Sequence, residues 1–294
     1  MIIVEVIGGL GNQMFQYALG RALSCQQGDA RLMLDTSKFE TYNLHNGFEL
    51  SRIFTGEFKL ASNRDINEVL GFRSIPIVRR LLSGNRFSQF RGSNFVVEPH
   101  FHYWPEIKNV TSDSYLVGYW QSEKYFKTVE DILRQDFTFK IPLSDRNELV
   151  LCDMRKQPSI SLHIRRGDYV QNANTLATHG VCSLEYYRSA IGLILEKVNN
   201  PKFFIFSDDQ NWVKENLKID HPCSYVDHNK GGESYNDMRL MSLCDHHIIA
   251  NSSFSWWGAW LNPSRSKIVI SPNKWFASTR NLTVDLCPSD WIKL

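Results

Sequence analysis

Two periodicities of hydrophobic positions run through this 294-residue chain. Short apolar runs rich in β-branched and aromatic residues predict strands, whereas apolar positions three and four residues apart predict helices. In the C-terminal half the pattern predicts strands over residues 159–164, 202–206, 247–250 and 267–270, and helices over about 183–198, over 211–217 and from 253 onward. Because strand and helix alternate, we expect a parallel sheet with helices on both faces.

The N-terminal half starts in the same way, with a predicted strand over 2–6, a glycine-rich loop and a helix from about 13 to 26. It then becomes less regular and richer in aromatic residues. With 294 residues and 43% hydrophobic content, the chain can bury a sizeable core and is long enough for two domains. We predict an N-terminal Rossmann-like domain over residues 1–150 and a C-terminal domain over residues 151–294.

Three polar segments follow predicted strands of the C-terminal half directly. They are Arg165-Arg166-Gly167, Ser207-Asp208-Asp209 and Asn251-Ser252-Ser253. Ligands of open α/β sheets bind outside the carboxyl ends of the strands. The pattern therefore predicts one crevice that all three segments line.

The two adjacent arginines are the strongest chemical signal. A guanidinium group presents a planar fork of donors that matches paired phosphate oxygens, and Gly167 allows the backbone to turn after the strand. Arg165 and Arg166 therefore indicate a diphosphate clamp. The alternative is an exposed Arg–Asp salt bridge on a turn, which would contribute little.

The glycine-rich loop of the N-terminal half has two interpretations. Gly8, Gly9 and Gly11 follow a strand, as in a dinucleotide-binding fingerprint, but Met14 stands where that fingerprint needs its third glycine. We therefore expect the glycines to let backbone amides approach a sugar or a diphosphate, with Asn12 and Gln13 as donors at a helix start. The alternative is a tight turn in which Asn12 is the N-cap.

The other two segments also have functional and structural interpretations. Asp208 or Asp209 could accept hydrogen bonds from the N1–H and N2–H₂ edge of guanine, or could cap the next helix. Ser252 and Ser253 offer hydroxyl groups and helix N-terminal amides to a phosphate, or Ser252 is an ordinary N-cap. Trp256, Trp257 and Trp260 are expected in the core rather than at a sugar.

Several of these segments together resemble a known family. Residues 163–169, HIRRGDY, resemble the HxRRxD signature of GDP-fucose-dependent fucosyltransferases, and residues 8–13, GGLGNQ, are similar to the N-terminal loop of the α-1,2-fucosyltransferases among them. Residues 206–209, FSDD, and 251–258, NSSFSWWG, also match, and 119–122, YWQS, resembles a stretch of the bacterial members. The first four of these segments occur along the chain in the family's order, which makes a coincidental match very improbable.

The resemblance implies the fold and the reaction. It implies a GT-B-like α/β fold of two facing Rossmann-like domains, with the nucleotide crevice mainly in the C-terminal domain and the acceptor side in the N-terminal one. It implies inverting transfer of L-fucose from GDP-β-L-fucose to the 2-hydroxyl of a galactoside, in bacterial surface polysaccharide or O-antigen synthesis. The alternatives are another linkage such as α-1,6 and, in other classes, a nucleotide-dependent oxidoreductase or a sugar-binding lectin.

It also implies roles for individual residues. Arg165, with Arg166 second, would stabilise the departing diphosphate, and Asp168 would be the base or would only orient the arginines. The donor-binding set is His163, Arg165, Arg166, Asp208, Asp209, Ser252, Ser253, Phe254, Gly9, Gly11, Asn12 and Gln13. The acceptor-binding candidates are Tyr119, Trp120 and Gln121.

Composition limits cofactors, partners and location. No two Asp residues are separated by one position, so we expect no metal and no cofactor besides the donor substrate. A net charge of +2 gives no nucleic-acid signal. The first residues show neither a basic n-region nor a long apolar segment, and the six cysteines form no C-x-x-C pair. We therefore expect reduced thiols and a cytoplasmic protein.

One segment suggests a second kind of contact. Residues Arg73–Asn94 contain no acidic residue, and they interleave Arg73, Arg79, Arg80, Arg86 and Arg91 with Ile75, Ile77, Val78, Leu81 and Leu82. It could be a solvated basic helix. Alternatively, it is a face for an anionic membrane or a pyrophosphate-linked lipid acceptor, which would place the protein peripherally at the inner face of the membrane.

Overall fold

The chain divides into two compact α/β units. The computed structural model describes residues 1–41, 45–167, 176–177, 180–278 and 281–294. Unit 1 comprises Met1–Lys140 with Val284–Leu286, and unit 2 comprises Ile141–Thr283 with Cys287–Leu294. The division lies ten residues before the expected position because the helix over Asp145–Met154 buries Leu151 and Met154 against strand residues of unit 2.

Unit 1 contains a four-stranded parallel sheet. Its strands are β1 (Ile2–Glu5), β2 (Leu32–Asp35), β3 (Phe95–Val97) and β4 (Ser114–Val117), in the spatial order β2-β1-β4-β3. Its helices are α1 (Leu10–Gln26), α2 (Leu50–Ile53), α3 (Asn63–Leu70), α4 (Pro76–Ser83) and α5 (Glu130–Asp136). Short 3-10 turns, among them Gly71–Ser74 and Asn85–Phe90, connect several of these elements.

Unit 2 contains a six-stranded parallel sheet. Its strands are β5 (Ser159–Ile164), β6 (Lys202–Ser207), β7 (Cys223–Val226), β8 (His246–Ile248), β9 (Val269–Ser271) and β10 (Ile292–Lys293), in the order β10-β9-β8-β5-β6-β7. Its helices are α6 (Asp145–Met154), α7 (Leu184–Leu195), α8 (Gln210–Asn216), α9 (Tyr235–Leu243) and α10 (Ser253–Leu261). The alternation of strand and helix predicted for this half is confirmed, with β7 and β10 added at the two edges.

The order of the strands creates a switch point in each sheet. In unit 2 the chain proceeds from β5 outward through β6 and β7, then returns to the other side of β5 for β8. In unit 1 the chain likewise places β2 and β4 on opposite sides of β1. Loops leave such a point in opposite directions and open a crevice at the carboxyl ends of the strands. The arginine segment follows β5, and the glycine-rich loop follows β1.

Hydrophobic burial holds each sheet to its helices. In unit 2, Ile160, Leu162 and Ile164 of β5 are fully buried and pack against α7 residues such as Tyr187 and Ile194. Trp256, Trp257 and Trp260 of α10 are also buried, so the prediction that they belong to the core is confirmed. Burying a large aromatic side chain contributes roughly 2–3 kcal/mol, which makes α10 one of the best anchored elements.

Within the described part of the chain, no helix is both long and apolar enough to cross a lipid bilayer.

Candidate active site

The register of the central strands of unit 2 brings the predicted diphosphate clamp and the Ser-Asp-Asp segment together. His163 of β5 pairs with Phe206 of β6, and Ile164 pairs with Ser207. Because parallel strands keep this register to their carboxyl ends, Arg165 and Asp208 emerge side by side. A separation of 43 residues in sequence thus becomes a direct contact.

Asp208 binds the arginine segment with both carboxylate oxygens. Oδ2 lies 3.0 Å from Nη1 of Arg165, and Oδ1 accepts a hydrogen bond of 2.9 Å from the backbone N–H of Arg166. A Cβ atom at Gly167 would lie 3.0 Å from Cγ of Asp208, so glycine allows this close approach. The carboxylate therefore holds the Arg165 fork in one position, which is the requirement for a preorganised anion site.

The guanidinium group of Arg166 lies against an aromatic ring and forms a long ion pair with a carboxylate. Its guanidinium carbon lies 3.6 Å from the centroid of the Trp212 ring on α8, a cation–π distance. Its buried Nε has no hydrogen-bond partner in the described part of the chain, and Oδ2 of Asp209 is 3.8 Å away. Asp209 is also the N-cap of α8, since its Oδ1 accepts from the N–H of Trp212 at 3.2 Å.

The structure gives both aspartates contacts within the protein, and the contact of either one with guanine stays a prediction. Asp209 caps a helix, which was the structural alternative, and Asp208 orients Arg165 and Arg166. A guanine base would have to share Asp208 with both arginines. Sequence analysis did not single out Trp212. Its position, four residues after Asp208, was a signal that this aromatic residue could lie near the end of the strand.

His163 is buried beneath this segment. It is 6% exposed, and its ring lies 6.1 Å from the ring of Phe254, measured between centroids. Burial, and then the positive charge of Arg165, lower the pKa of His163 to about 3. Its Nδ1 has no hydrogen-bond partner among the described residues. A neutral imidazole of this kind can hydrogen-bond a ligand, but it is a poor proton acceptor at neutral pH.

The segment after β8 lies at the other side of the same switch point. Ser252 is the N-cap of α10, and its Oγ accepts from the N–H of Phe254 at 3.3 Å. Asn251 is 2% exposed and donates to the carbonyl of Trp275 at 3.1 Å. The nine-residue helix α10 thus begins at the crevice, and Ser253 lies in its first turn, where backbone N–H groups suit an anion.

A cavity of about 590 Å³ lies next to Asn251. Its lining includes Cys182, Tyr186, Lys274 and Phe276. This volume lies within the range of small-molecule sites in proteins. The carboxyl edge of the sheet in unit 2 therefore offers both charged donors and an open pocket.

Asp168, the predicted base, lies outside the described residues. Its role stays a prediction.

The glycine-rich loop of unit 1 is shaped by the helix that follows it. Helix α1 begins at Leu10 with Gly9 as N-cap, three residues earlier than predicted, so Asn12 is inside the first turn and is not the N-cap. Gly8 has φ +89°, and a Cβ atom there would also lie 2.7 Å from Nδ2 of Asn12. Gly9 is partly accessible, whereas Gly11 is buried, so only Gly9 presents its backbone at the surface of the loop.

Gln13 does not fit its predicted role as a donor-binding residue. Its side chain is fully buried, and Nε2 donates to the carbonyls of Gly8 at 2.9 Å and Gly47 at 2.8 Å. Its Oε1 accepts from the N–H of Glu49 at 2.9 Å. These bonds use both amide hydrogens, so Gln13 ties the loop to the rest of unit 1 instead of contacting a ligand.

The acceptor candidates also separate into buried and accessible residues. Trp120 is fully buried, so the prediction that its ring contacts an acceptor does not fit the structure. Gln121 is 8% exposed and donates from Nε2 to Oδ1 of Asn12 at 2.8 Å, which joins the loop after β4 to α1. Tyr119 is 44% exposed and is available to a ligand.

Glu98, which sequence analysis missed, holds the loop that carries Tyr119. It follows β3, and its two carboxylate oxygens accept from the N–H groups of Tyr119 at 2.7 Å and Trp120 at 3.0 Å. Trp120 has φ +57°, a left-handed conformation that needs such support. Burial raises the pKa of Glu98 to about 7. The signal for it was an acidic residue directly after the short apolar run of residues 95–97, which the sequence analysis did not predict as a strand.

No three His, Cys, Asp or Glu side chains in the described part of the chain are grouped so that they could hold a metal ion. All six cysteines are free thiols, as expected. Metal independence stays a prediction.

Comparison with known sequences adds independent information. A family profile described as "Glycosyl transferase family 11" matches residues 90–294. The chain is 36% identical to "Alpha-1,2-colitosyltransferase" of Escherichia coli over 100% of this chain and 99% of that protein. It is 35% identical to "O-antigen biosynthesis glycosyltransferase WbnK" of Escherichia coli over 98% of both. With "Galactoside 2-alpha-L-fucosyltransferase SEC1" of Bos taurus the identity is 25% over 88% of this chain and 63% of that protein.

A solved structure shows the same architecture. "NodZ alpha-1,6-fucosyltransferase soaked with GDP-fucose" superposes with a TM-score of 0.55 over 89% of this chain and 92% of that chain, at 13% sequence identity. A likeness at this identity shows the fold alone. The predicted GT-B class, with two α/β units built on parallel sheets, is confirmed.

Proposed function

Because this chain belongs to glycosyltransferase family 11, we propose that it transfers L-fucose from GDP-β-L-fucose to the 2-hydroxyl of a galactoside, with inversion at the sugar carbon. The single observation that supports this most is the arginine segment after β5. Asp208 holds Arg165 at 3.0 Å, and two buried nitrogen atoms beside it, His163 Nδ1 and Arg166 Nε, accept or donate no hydrogen bond in the described part of the chain. Buried polar groups normally have partners, so a ligand that accepts hydrogen bonds fits here.

The chemistry of the reaction explains why such a segment is needed. When GDP leaves, negative charge develops on the diphosphate and the sugar gains oxocarbenium character. A fixed guanidinium stabilises that charge without reorganising during the reaction. The amides of the first turn of α10, near Ser253, contribute in the same direction. Arg165 is thus our first choice for stabilising the leaving group, and Arg166 is the second.

The linkage is supported by the names of the relatives. The E. coli relative is named for α-1,2 transfer of colitose, and the bovine relative for transfer of fucose to position 2 of a galactoside. These names differ in the sugar and agree on the linkage.

Transfer of colitose is a second candidate function, because colitose is L-fucose without its 3-hydroxyl. A site that hydrogen-bonds that hydroxyl would reject the colitosyl donor by a factor of roughly 10⁴, whereas a site without such a contact would accept both.

The acceptor must also lose a proton. We propose Asp168 for this role, since the pKa of His163, lowered to about 3 by burial, makes the histidine a poor base at neutral pH. Tyr119 is our candidate for contact with the acceptor, because its side chain is exposed on a loop that Glu98 fixes. One relative is named for O-antigen biosynthesis, which supports a glycan of that type as the acceptor.

The test is to incubate the protein with GDP-fucose, GDP-colitose and UDP-galactose, each with a panel of galactosides, and to determine product mass and linkage. We expect an α-1,2-fucosylated galactoside from GDP-fucose and no product from UDP-galactose. Arg165→Lys tests whether the guanidinium fork is needed, because this variant keeps the charge but loses the fork. We expect it to lose about 2–4 kcal/mol of transition-state stabilisation. If product formed only from GDP-colitose, the donor sugar would be colitose rather than fucose. A product with a different linkage would refute the proposed reaction.

A further inference from the structure

The segment from Phe72 to Phe90 in unit 1 exposes an unusual amount of apolar surface. Fourteen large hydrophobic side chains are exposed in the described part of the chain, and five of them fall in this segment. They are Phe72 at 73%, Ile75 at 49%, Ile77 at 68%, Leu81 at 50% and Phe90 at 61%. Single exposed apolar residues are normal, but exposed apolar residues on adjoining elements mark an interaction site, and the turns that carry Phe72 and Phe90 pack against α4. We call these five residues the apolar surface.

The orientation of α4 is fixed by a buried ion pair, so this surface is not the result of a loosely packed helix. Arg79 is 8% exposed, its Nη1 lies 2.8 Å from Oδ2 of Asp35, and its Nη2 donates to Oγ of Ser37 at 3.1 Å. Leu82 is buried in the same cluster as residues of the central strands. Ile77 and Leu81, four residues apart, lie on the outward face. Rotating the helix to bury them would pull Arg79 out of its ion pair.

The neighbouring turns are tied to α4 in the same way. Nε of Arg91 donates to the carbonyl of Leu82 at 2.7 Å, and Nη1 of Arg73 donates to the carbonyl of Arg91. Arg73, Arg79 and Arg91 therefore stabilise the fold of this segment. Arg80 and Arg86 are exposed and have no hydrogen bond or ion pair in the described part of the chain. No acidic residue occurs between positions 71 and 94.

The charge of this segment indicates what covers the apolar surface. A second copy of the chain, paired through a twofold axis, would bring its own Arg80 and Arg86 against the same arginines. An anionic bilayer instead offers phosphate groups to the guanidinium groups and, just beneath them, acyl chains to the apolar side chains. We propose that the apolar surface, with Arg80 and Arg86, docks the protein on anionic phospholipid membranes. This proposal does not depend on the proposed function.

The test is flotation of the full-length protein with vesicles of phosphatidylcholine alone and of phosphatidylcholine with 30% phosphatidylglycerol. We expect binding to the anionic vesicles only, weakened by salt. Ile77→Ser with Leu81→Ser, and separately Arg80→Gln with Arg86→Gln, should each weaken binding by roughly tenfold or more. All four side chains are exposed, so the variants should fold, which thermal melting would verify.

The matched controls lie in unit 2. Leu149→Ser with Leu243→Ser changes two exposed apolar side chains, and Arg155→Gln with Arg265→Gln removes the same charge from exposed positions. Both controls should bind like the wild type. Absence of flotation, equal binding to neutral vesicles, or equal losses in the controls would overturn the proposal. A dimer that Ile77→Ser with Leu81→Ser converts to a monomer would show that a second copy covers the surface.

Discussion

Asp208 shows how the role of a single residue depends on its neighbours. Both of its oxygens contact the arginine segment, at 3.0 Å to Arg165 and 2.9 Å to the N–H of Arg166. If Asp208 orients the clamp, Asp208→Asn should weaken binding of GDP and UDP by the same factor, roughly 10- to 100-fold, because a charge-assisted hydrogen bond is lost. Calorimetry with both nucleotides measures this. Selective loss of GDP binding would instead show that Asp208 reads guanine.

Asp209→Asn is the matched control for that experiment. Asp209 caps α8, and an asparagine caps a helix about as well as an aspartate. We therefore expect GDP affinity within a few-fold of the wild type. A large loss with this variant would show that the carboxylate of Asp209, rather than that of Asp208, contacts the nucleotide.

Asp168 can be tested as the base by its effect on two separate quantities. If it removes the acceptor proton, Asp168→Asn should keep GDP affinity while turnover falls by roughly 10²–10⁴. If it only orients the arginines, binding and turnover should fall together. We expect both to fall and turnover to fall further. A loose transition state would have little need for a base and would leave turnover unchanged. That result would remove Asp168 from the catalytic residues.

Secondary-structure elements depend on contacts that local sequence does not reveal. The strands β5, β6, β8 and β9 lie close to their predicted ranges because each is marked by a short apolar run or by apolar and polar residues in alternation. β7 was missed because it pairs only with β6 and three of its four residues are only partly buried, which weakens the apolar signal. Helix α1 begins earlier than predicted because Gly9 serves as the N-cap, a position that polar residues usually occupy.

Two adjacent arginines of helix α4, Arg79 and Arg80, should differ in how much they contribute to the stability of unit 1. Arg79→Met should destabilise unit 1 by about 3–5 kcal/mol, because the carboxylate of Asp35, 1% exposed, loses the only ion pair it forms in the described part of the chain. Arg80→Met, at an exposed position, should change the free energy of unfolding by no more than about 0.5 kcal/mol. Urea unfolding of the two variants measures the difference. Equal, small losses would mean that the ion pair does not fix α4.

At the scale of the whole molecule, buried carboxyl groups make stability depend on pH. Burial raises the pKa of Asp237, at the start of α9, to about 7, even though Asn229 donates to it at 2.8 Å. Between the ordinary pKa of aspartate and 7 the folded state retains a proton that the unfolded state has lost. The free energy of unfolding of the wild type should therefore fall as the pH rises through this range.

Asp237→Asn removes the cost of ionising this group. We expect it to match the wild type near pH 4 and to be more stable by about 2–4 kcal/mol at pH 8, in denaturant titrations at both values. A constant difference at all pH values would show that the ionisation of Asp237 is not responsible.

The whole chain should also work without a metal ion. The sequence contains no D-x-D motif, and the described residues contain no group of metal ligands. We therefore predict that the arginines and helix dipoles neutralise the diphosphate charge. Turnover should persist in EDTA. Loss of turnover that Mg²⁺ or Mn²⁺ restores would contradict this, whereas mild stimulation is compatible with it, because cations bind the released GDP.

What the sequence determined by itself is local: which runs form strands, where each strand ends, and which polar residues follow. The tertiary structure alone decided which of these residues meet. It paired Arg165 with Asp208, stacked Arg166 on Trp212, buried Gln13 and Trp120, and turned Ile77 and Leu81 outward. The physical reason is that hydrophobic periodicity sets a strand or a helix over a few residues, whereas strand order, register and a buried ion pair join residues far apart in the chain.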